Sequence, residues 1–197
     1  MPNFSQTCTN RRTVKETTDE HILALIAQPA TAERGFRLLM GKYQERIYWH
    51  IRRMVITHED ADDVIQNAFV KVFRGLPNFK GNSALYTWIY RIATNEALTH
   101  LQKAKRNHTV PLDGVDYDLA EQLKADEFFD GDEAKAKLIR AVNTLPEKQR
   151  LVFNMRYHDD MPYADISEVL GTSVGALKAS YHHAVKKIEG FINQVET

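Results

Sequence analysis

Pro162 to Lys187 reads PYADISEVLGTSVGALKASYHHAVKK, and the fold of the chain turns on it. Ser167, then Gly171 four residues later, then Leu177 six beyond that, have the spacing of a helix-turn-helix. Two short helices cross closely where the first offers a small residue, and the chain turns tightly where a glycine accepts a left-handed conformation. Ser173 is placed to cap a second helix, which would bury Val174, Leu177, Tyr181, Val185 and Ile188 at helical spacing. The other side carries Lys178, Ser180, His182, His183, Lys186 and Lys187, side chains suited to phosphates and base edges. An ordinary helical hairpin with a solvated basic face has the same local pattern, so the rest of the chain has to decide.

The 197 residues suit one domain or two small ones. Apolar content of 43% and ample aromatics allow a packed core. The formal net charge is zero, which at first sight speaks against nucleic acid, but the charge is segregated. Between Asp113 and Glu133 stand nine acidic residues against the single Lys124, so the remainder is net basic by eight charges. Cys8 is the only cysteine, which excludes an internal disulfide and a cysteine-rich zinc site. No apolar run approaches the roughly 18 residues of a membrane span, and Met1 to Lys15 lacks the apolar core of a signal peptide. The expectation is a soluble cytoplasmic protein.

Residues 1–16 are polar and aperiodic and are expected to form a disordered arm. From Thr17 the pattern is helical almost throughout. Thr17 and Glu20 have capping-box spacing before a short helix over His21 to Ala27. A long amphipathic helix follows over 31–56, its stripe being Phe36, Leu39, Tyr43, Ile47, Ile51 and Met54, with Arg34, Arg37, Lys42, Arg46, Arg52 and Arg53 on the remainder. The acids of His58 to Asp63 open the next helix, where the dipole favours negative charge, and Ala61, Val64 or Ile65, Ala68, Val72 and Leu76 form its buried stripe. Gly75 to Ser83 is a loop with a glycine near each end and one proline. A further helix to Lys105 turns Leu85, Trp88, Ile89, Ile92, Ala93 and Leu101 inward. The acidic stretch 107–132, with Pro111, Gly114 and Gly131, reads as a flexible linker, in which Phe128 and Phe129 could dock transiently on a neighbouring domain. Helices over 133–143 and from Leu145-Pro146-Glu147 lead into the helix-turn-helix. No strand alternation and no repeat period is present. The fold class is all-α: two small helical domains, 17–106 and 133–197, joined by an acidic linker.

Nothing in this pattern looks catalytic. His58, Glu59, Asp60, Asp62 and Asp63 point around one helix start and cannot converge on an ion. His158-Asp159-Asp160 sits in a turn without a companion cluster. His182 and His183 point roughly 100° apart on a helix. No phosphate loop, nucleophile elbow or metalloprotease signature occurs, and no metal, cofactor or small-molecule substrate is expected. The stretch 75–95 is more informative. Asn78, Phe79, Lys80, Asn82 and Ser83 lead into a helix with Tyr86, Trp88, Tyr90, Arg91 and Asn95. Aromatic and amide groups beside basic ones are what holding an unstacked base requires, at about 1–3 kcal/mol of stacking per base. Trp88 on the Leu85-Ile89-Ile92 face also reads as core. The outer face of the helix over 59–75 offers Asp62, Asp63, Gln66, Asn67 and Val70, with Phe69 and Phe73 near its edge. An acidic-to-amide face with an apolar fringe suits a protein partner better than DNA.

Two blocks in order, DADDVIQNAFVKVFRGLPNFKGNSALYTWIYRIATNEALTHL (60–101) and LPEKQRLVFNMRYHDDMPYADISEVLGTSVGALKASYHHAVKKI (145–188), together resemble the extracytoplasmic-function sigma factors of bacterial RNA polymerase. The resemblance covers about residues 20–192. It implies that the first domain is region 2, with Asp62, Asp63, Gln66, Asn67, Phe69 and Val70 docking on the clamp helices of the polymerase β′ subunit. Asn78, Phe79, Lys80, Asn82, Ser83, Tyr86, Trp88 and Arg91 would then capture a flipped base of the single-stranded minus-10 element. It implies that the second domain is region 4, touching the β flap. There Thr172, Ser173, Val174, Gly175, Ala176, Lys178, Ala179, Ser180, His182, His183 and Lys186 would read the double-stranded minus-35 element. The acidic linker would thread the polymerase toward the RNA exit channel. An anti-sigma factor would clamp the two domains and could hold the protein at the membrane.

The chain departs from the family pattern in places. Ser180 and His183 stand where arginines are common, and arginine is the usual bidentate reader of guanine. Ala176 and Ala179 replace small hydroxylated residues, and Pro162 replaces a hydroxyl cap. Fewer permanent charges imply a shallower salt dependence. The run from Ser173 to His183 resembles members of the Bacteroidetes group. Two other readings compete. A response-regulator-type activator has a similar helix-turn-helix but leaves 58–95 unexplained, and a small helical enzyme lacks a converging polar site.

Overall fold

The structure, a computed structural model, describes residues 17–55, 57–107 and 133–195. Eight α-helices and one 3-10 turn account for most of them, with no strand among the described residues. The helices are α1 (Asp19–Ile26), α2 (Ala32–Arg52), α3 (His58–Gly75), α4 (Leu85–Asn107), α5 (Glu133–Asn143), α6 (Glu147–Tyr157), α7 (Tyr163–Leu170) and α8 (Val174–Val195). The expected N-terminal arm, the acidic linker and its Phe128 and Phe129 lie outside the described residues.

Local chemistry sets the helix starts. The cap of α1 is Thr18, whose hydroxyl accepts the His21 N–H at 3.3 Å, one residue beyond the expected Thr17. Thr57 caps α3 by accepting the Asp60 N–H at 3.0 Å, so the acids behind it complement the exposed N–H groups. Before α4, Gly81 takes a left-handed φ of 70°, which lets the loop reverse. Pro162 opens α7 without a side-chain cap; its carbonyl accepts from Asp165 and Ile166. Gly171 ends α7 at φ 63°, its N–H donating to the Ser167 carbonyl at 2.9 Å.

Helices α1 to α4 pack with neighbouring elements in contact. At the α1/α2 crossing, Gly35 lies so close to the end of α1 that a Cβ there would meet the Ile26 Cγ1 at 2.7 Å. The same junction is tied by Asp19, which accepts from Lys42 at 2.6 Å and from the Tyr43 hydroxyl at 2.7 Å. The stripes expected from the sequence are inward: Leu39, Tyr43, Ile47, Ile51 and Met54 on α2, Ala61, Val64, Ile65, Ala68 and Val72 on α3. The Arg52 side chain, expected on the solvent side of α2, is also buried, its Nη1 donating to the Val55 carbonyl at 3.4 Å.

In the second segment Phe153 stacks between Tyr157 at 5.1 Å and Tyr181 at 5.7 Å, and this aromatic stack holds α6 against α8. Val174 corrects the sequence reading. It is 36% exposed, at the first position of α8, where Ser173, Gly175 and Ala176 beside it are exposed as well. Ala184 occupies the buried position instead, with Ile188 and Val142.

The two segments do not sit apart. Leu151, Val152, Met155, Met161, Ile166, Val169 and Leu177 belong to the same buried apolar cluster as Ile51, Ile89 and Ala93 of the first segment. Helix α7 lies directly on α4. Burying side chains of this size contributes about 1.5–3 kcal/mol each, so the docked arrangement is supported by packing as well as by tethering.

Candidate nucleic-acid interface

Three faces carry the residues singled out in the sequence. The outer face of α3 presents Asp62, Asp63, Gln66, Asn67 and Val70 to solvent. Phe69 does not share it. At 5% exposed, Phe69 faces the core, because it lies one residue beyond Ala68 on the buried stripe. The aromatic on the outer side is Phe73, 55% exposed, packed edge-on against Phe36 with centroids 5.0 Å apart. With Val70 at 47% it forms an apolar edge beside the acidic and amide side chains.

The second face is the loop before α4 and the start of that helix. Asn78, Lys80 and Asn82 are exposed and Ser83 is half-buried. Phe79 and Trp88 are half-buried and pack on each other at 5.1 Å, and Trp88 also covers Gly75. Their rings support the loop from beneath, which leaves the amides and Lys80 as its open groups. Arg91 is exposed one turn along the helix. Tyr86 is half-buried, and its hydroxyl donates to the Asp165 carboxylate on α7.

The third face is the first half of α8. Ser173, Val174, Gly175, Ala176, Lys178, Ala179, His182, His183 and Lys186 are exposed, while Thr172 and Ser180 are half-buried. Ser173 accepts the Ala176 N–H at the long distance of 3.4 Å. The rings of His182 and His183 diverge, with centroids 6.0 Å apart. Lys178 and Arg156 both lie over the Tyr163 ring, at 5.9 and 5.7 Å, which steadies the basic edge of the helix pair. Among the described residues no three His, Cys, Asp or Glu side chains gather as metal ligands, and no helix is long and apolar enough to cross a membrane.

Between the segments lies a buried polar cluster. Asp159, in the turn between α6 and α7, has a side chain 3% exposed. Its Oδ2 is 2.7 Å from the His50 Nδ1, and its Oδ1 accepts from the Arg53 Nη2 at 2.5 Å. Arg46 donates to the Asp159 carbonyl at 3.3 Å, and the His50 Nε2 is 2.9 Å from the Thr94 Oγ1. Burial alone would raise the Asp159 pKa. The hydrogen bond and charge of His50, then those of Arg53, outweigh it and hold the carboxyl below its ordinary value. Tyr90 beside it is pushed up to about 12, first by burial and then by the Asp159 charge.

Two family models match the chain. Residues 39–107 match Sigma-70 region 2 and residues 135–188 match Sigma-70, region 4. The RNA polymerase sigma-H factor of Pseudomonas aeruginosa is 35% identical over 167 residues, covering 80% of this chain and 86% of that protein. The ECF RNA polymerase sigma-E factor of Haemophilus influenzae is 28% identical over 186 residues, covering 90% and 97%. The chain belongs to the extracytoplasmic-function sigma factors. Two solved structures share its fold: CnrH in complex with the cytosolic domain of CnrY and the sigma factor RpoE in complex with the anti-sigma factor NepR from Bartonella quintana. The first has a TM-score of 0.65 at 21% identity, covering 87% of this chain and 97% of that one. The second has a TM-score of 0.63 at 16% identity, covering 80% and 96%.

In this sigma factor the sequence places the faces but not what lies between them. Along the chain Asp159 reads as a turn residue without a companion cluster, and Arg46 and Arg53 read as solvent-side residues of α2. The partners of Asp159 are more than 100 residues away in sequence, so no local period announces them. The one available signal is His50, a polar residue beside Ile47 and Ile51 on the apolar stripe.

Proposed function

We propose that the sigma activity of this chain is divided among the three faces. The exposed side of α3, Asp62, Asp63, Gln66, Asn67 and Val70 with Phe73 at its edge, docks on the β′ clamp helices of core RNA polymerase. The loop 78–83 with Tyr86 and Arg91 captures an unstacked base of the minus-10 element, and Trp88 and Phe79 support it. The exposed residues of α8 read the minus-35 element in the major groove, and region 4 touches the β flap. Strand opening is driven by binding energy, since a captured base shifts the duplex toward its open form. The protein catalyses nothing itself and works in the cytoplasm. An anti-sigma factor regulates it, in keeping with the partner named for the Bartonella quintana structure.

The observation that carries this reading is the order of two matched regions, 39–107 and 135–188, each bearing its own exposed face. Run-off transcription with purified core polymerase and genomic promoter fragments tests it. Specific initiation that depends on the added protein supports it. Failure to bind core polymerase and to initiate at any promoter overturns it.

A further inference from the structure

The reading side of α8 carries two histidines, the side chain whose charge changes nearest neutral pH. Lys178, His182 and Lys186 follow one another at intervals of four, about 6 Å apart along the helix. His183 and Lys187 form the neighbouring row. All five are exposed, while Leu177, Ala184 and Ile188 face the core. From Val174 to Ile188 the helix has three permanent cations, Lys178, Lys186 and Lys187, and no acid. The two imidazole rings are 6.0 Å apart and tilted by 55°, so they address different groups of a ligand and do not share one proton.

The elements packed on α8 present cationic or neutral groups beside this face. Arg156 and Tyr157 of α6 and Tyr163 of α7 gather round Tyr181, and Arg156 and Lys178 lie over the Tyr163 ring. His158, past the end of α6, is pushed down to about 4 by partial burial and then by Arg53, so it is neutral across the physiological range. Helix α5 packs with Ala184 and Ile188 through Ala141 and Val142, and carries Lys137 and Arg140. The acids are engaged elsewhere. Asp160 pairs with Arg156 at 3.1 Å, Asp159 is held by His50 and Arg53, and Asp165 accepts from Tyr86 of α4 with Glu168 beside it. Glu189 lies six residues past His183, beyond its row. An anion for these imidazoles has to come from outside the chain.

We propose that His182 and His183 are proton-linked DNA contacts. When α8 enters the major groove, each takes one proton from solvent and donates to a backbone phosphate, so that promoter binding tightens as pH falls from mildly alkaline to mildly acidic. The ligand follows from the reading of α8 as the minus-35 helix, on which this inference rests. An imidazolium donates from both ring nitrogens where the neutral ring donates from one, and a phosphate alongside favours the charged form. The face changes from three positive charges to five with no change of fold. On the alkaline side it holds DNA through the three lysines. On acidification two more phosphates are neutralised, and binding becomes both tighter and more sensitive to salt.

Holoenzyme assembled from core polymerase and the full-length chain tests this on a promoter fragment that initiates in run-off transcription. Fluorescence anisotropy gives the affinity at roughly pH 8 and pH 6.5, each over a range of salt. Wild type is compared with the double variant His182→Asn, His183→Asn, which removes both titrations, and with His182→Arg, His183→Arg, which fixes both charges. Taking ratios to the asparagine variant cancels the pH response of the polymerase itself. The wild-type ratio should rise about tenfold between the two pH values, and the arginine ratio should stay constant. The wild-type salt slope should steepen on acidification by about 0.9 for each histidine charged. A wild-type ratio that does not move with pH, or equal salt slopes, overturns the proposal and leaves the minus-35 assignment standing. If the arginine and asparagine variants bind alike and scrambling the minus-35 sequence changes nothing, the assignment of α8 itself fails. If no fragment initiates, the sigma reading falls and the proposal with it.

Discussion

His50 and Asp159, 109 residues apart in sequence, meet at 2.7 Å in the interior between the two regions. The Asp159 carboxyl is held below its ordinary pKa, so it is an acceptor and the proton of the contact resides on the His50 Nδ1. Arg53 completes the pairing on the other oxygen. A buried ion cluster of this kind gains little over an apolar packing, but losing one partner strands the other charges.

Replacing Asp159 by alanine should therefore cost about 3–5 kcal/mol of stability. Denaturant unfolding followed by circular dichroism and by Trp49 and Trp88 fluorescence checks it. The wild type should unfold in one transition, because one apolar cluster spans both regions. The variant should separate into two, region 4 melting first. A single transition at an unchanged midpoint would contradict the role assigned to the cluster.

Acid should act on the two carboxylates of the seam with opposite sign. The folded pKa of Asp159 is lowered. Its contribution is thus complete above the unfolded value and disappears as pH falls through the folded one. The folded pKa of Asp165 is raised, first by burial and then by Glu168, so the folded state gains as pH falls through it. The stability gap between wild type and Asp159→Asn should hold from neutral to mildly acidic pH and close only below the ordinary carboxylate range. Asp165→Asn should be most favourable at neutral pH and lose its advantage on acidification. Denaturant titrations at stepped pH measure both trends.

Phe69 and Phe73 separate packing from docking on one helix. Phe69 is buried and Phe73 is 55% exposed. Phe69→Ala should cost about 3–5 kcal/mol of stability. Phe73→Ala should leave the unfolding midpoint nearly unchanged and weaken core-polymerase binding, as should Asp63→Ala and Gln66→Ala. Parallel unfolding and polymerase pull-down experiments distinguish the two classes.

Two glycine-to-alanine changes should have opposite signs. A Cβ at Gly35 would lie 2.7 Å from the Ile26 Cγ1 and 2.9 Å from the Ile26 backbone nitrogen, so α1 and α2 must move apart. A loss of about 1–3 kcal/mol is expected. At Gly190, inside α8, an added methyl group would meet nothing within 4 Å, and alanine there should stabilise by about 0.5–1 kcal/mol. Thermal melts of the two variants should move in opposite directions.

The helices, their inward stripes and the turn at Gly171 are legible in the sequence, because helical period and the left-handed turn are properties of residues a few positions apart. The exposed faces of α3, the loop before α4 and α8 follow from the same periods. Phe69 and Val174 depart from that reading because their burial depends on which neighbour lies alongside, one at the edge of a stripe and the other at the first turn of a helix. Whether the two regions dock, and through which groups, is beyond sequence reasoning. His50, Arg53 and Asp159 carry no shared motif, and burial turns an inconspicuous turn carboxylate into the centre of an interface. The sequence by itself determined two helical units with their reading faces. Only the tertiary structure decided that they close on each other, because a buried charge is satisfied by whatever the fold brings within 3 Å and not by its neighbours along the chain.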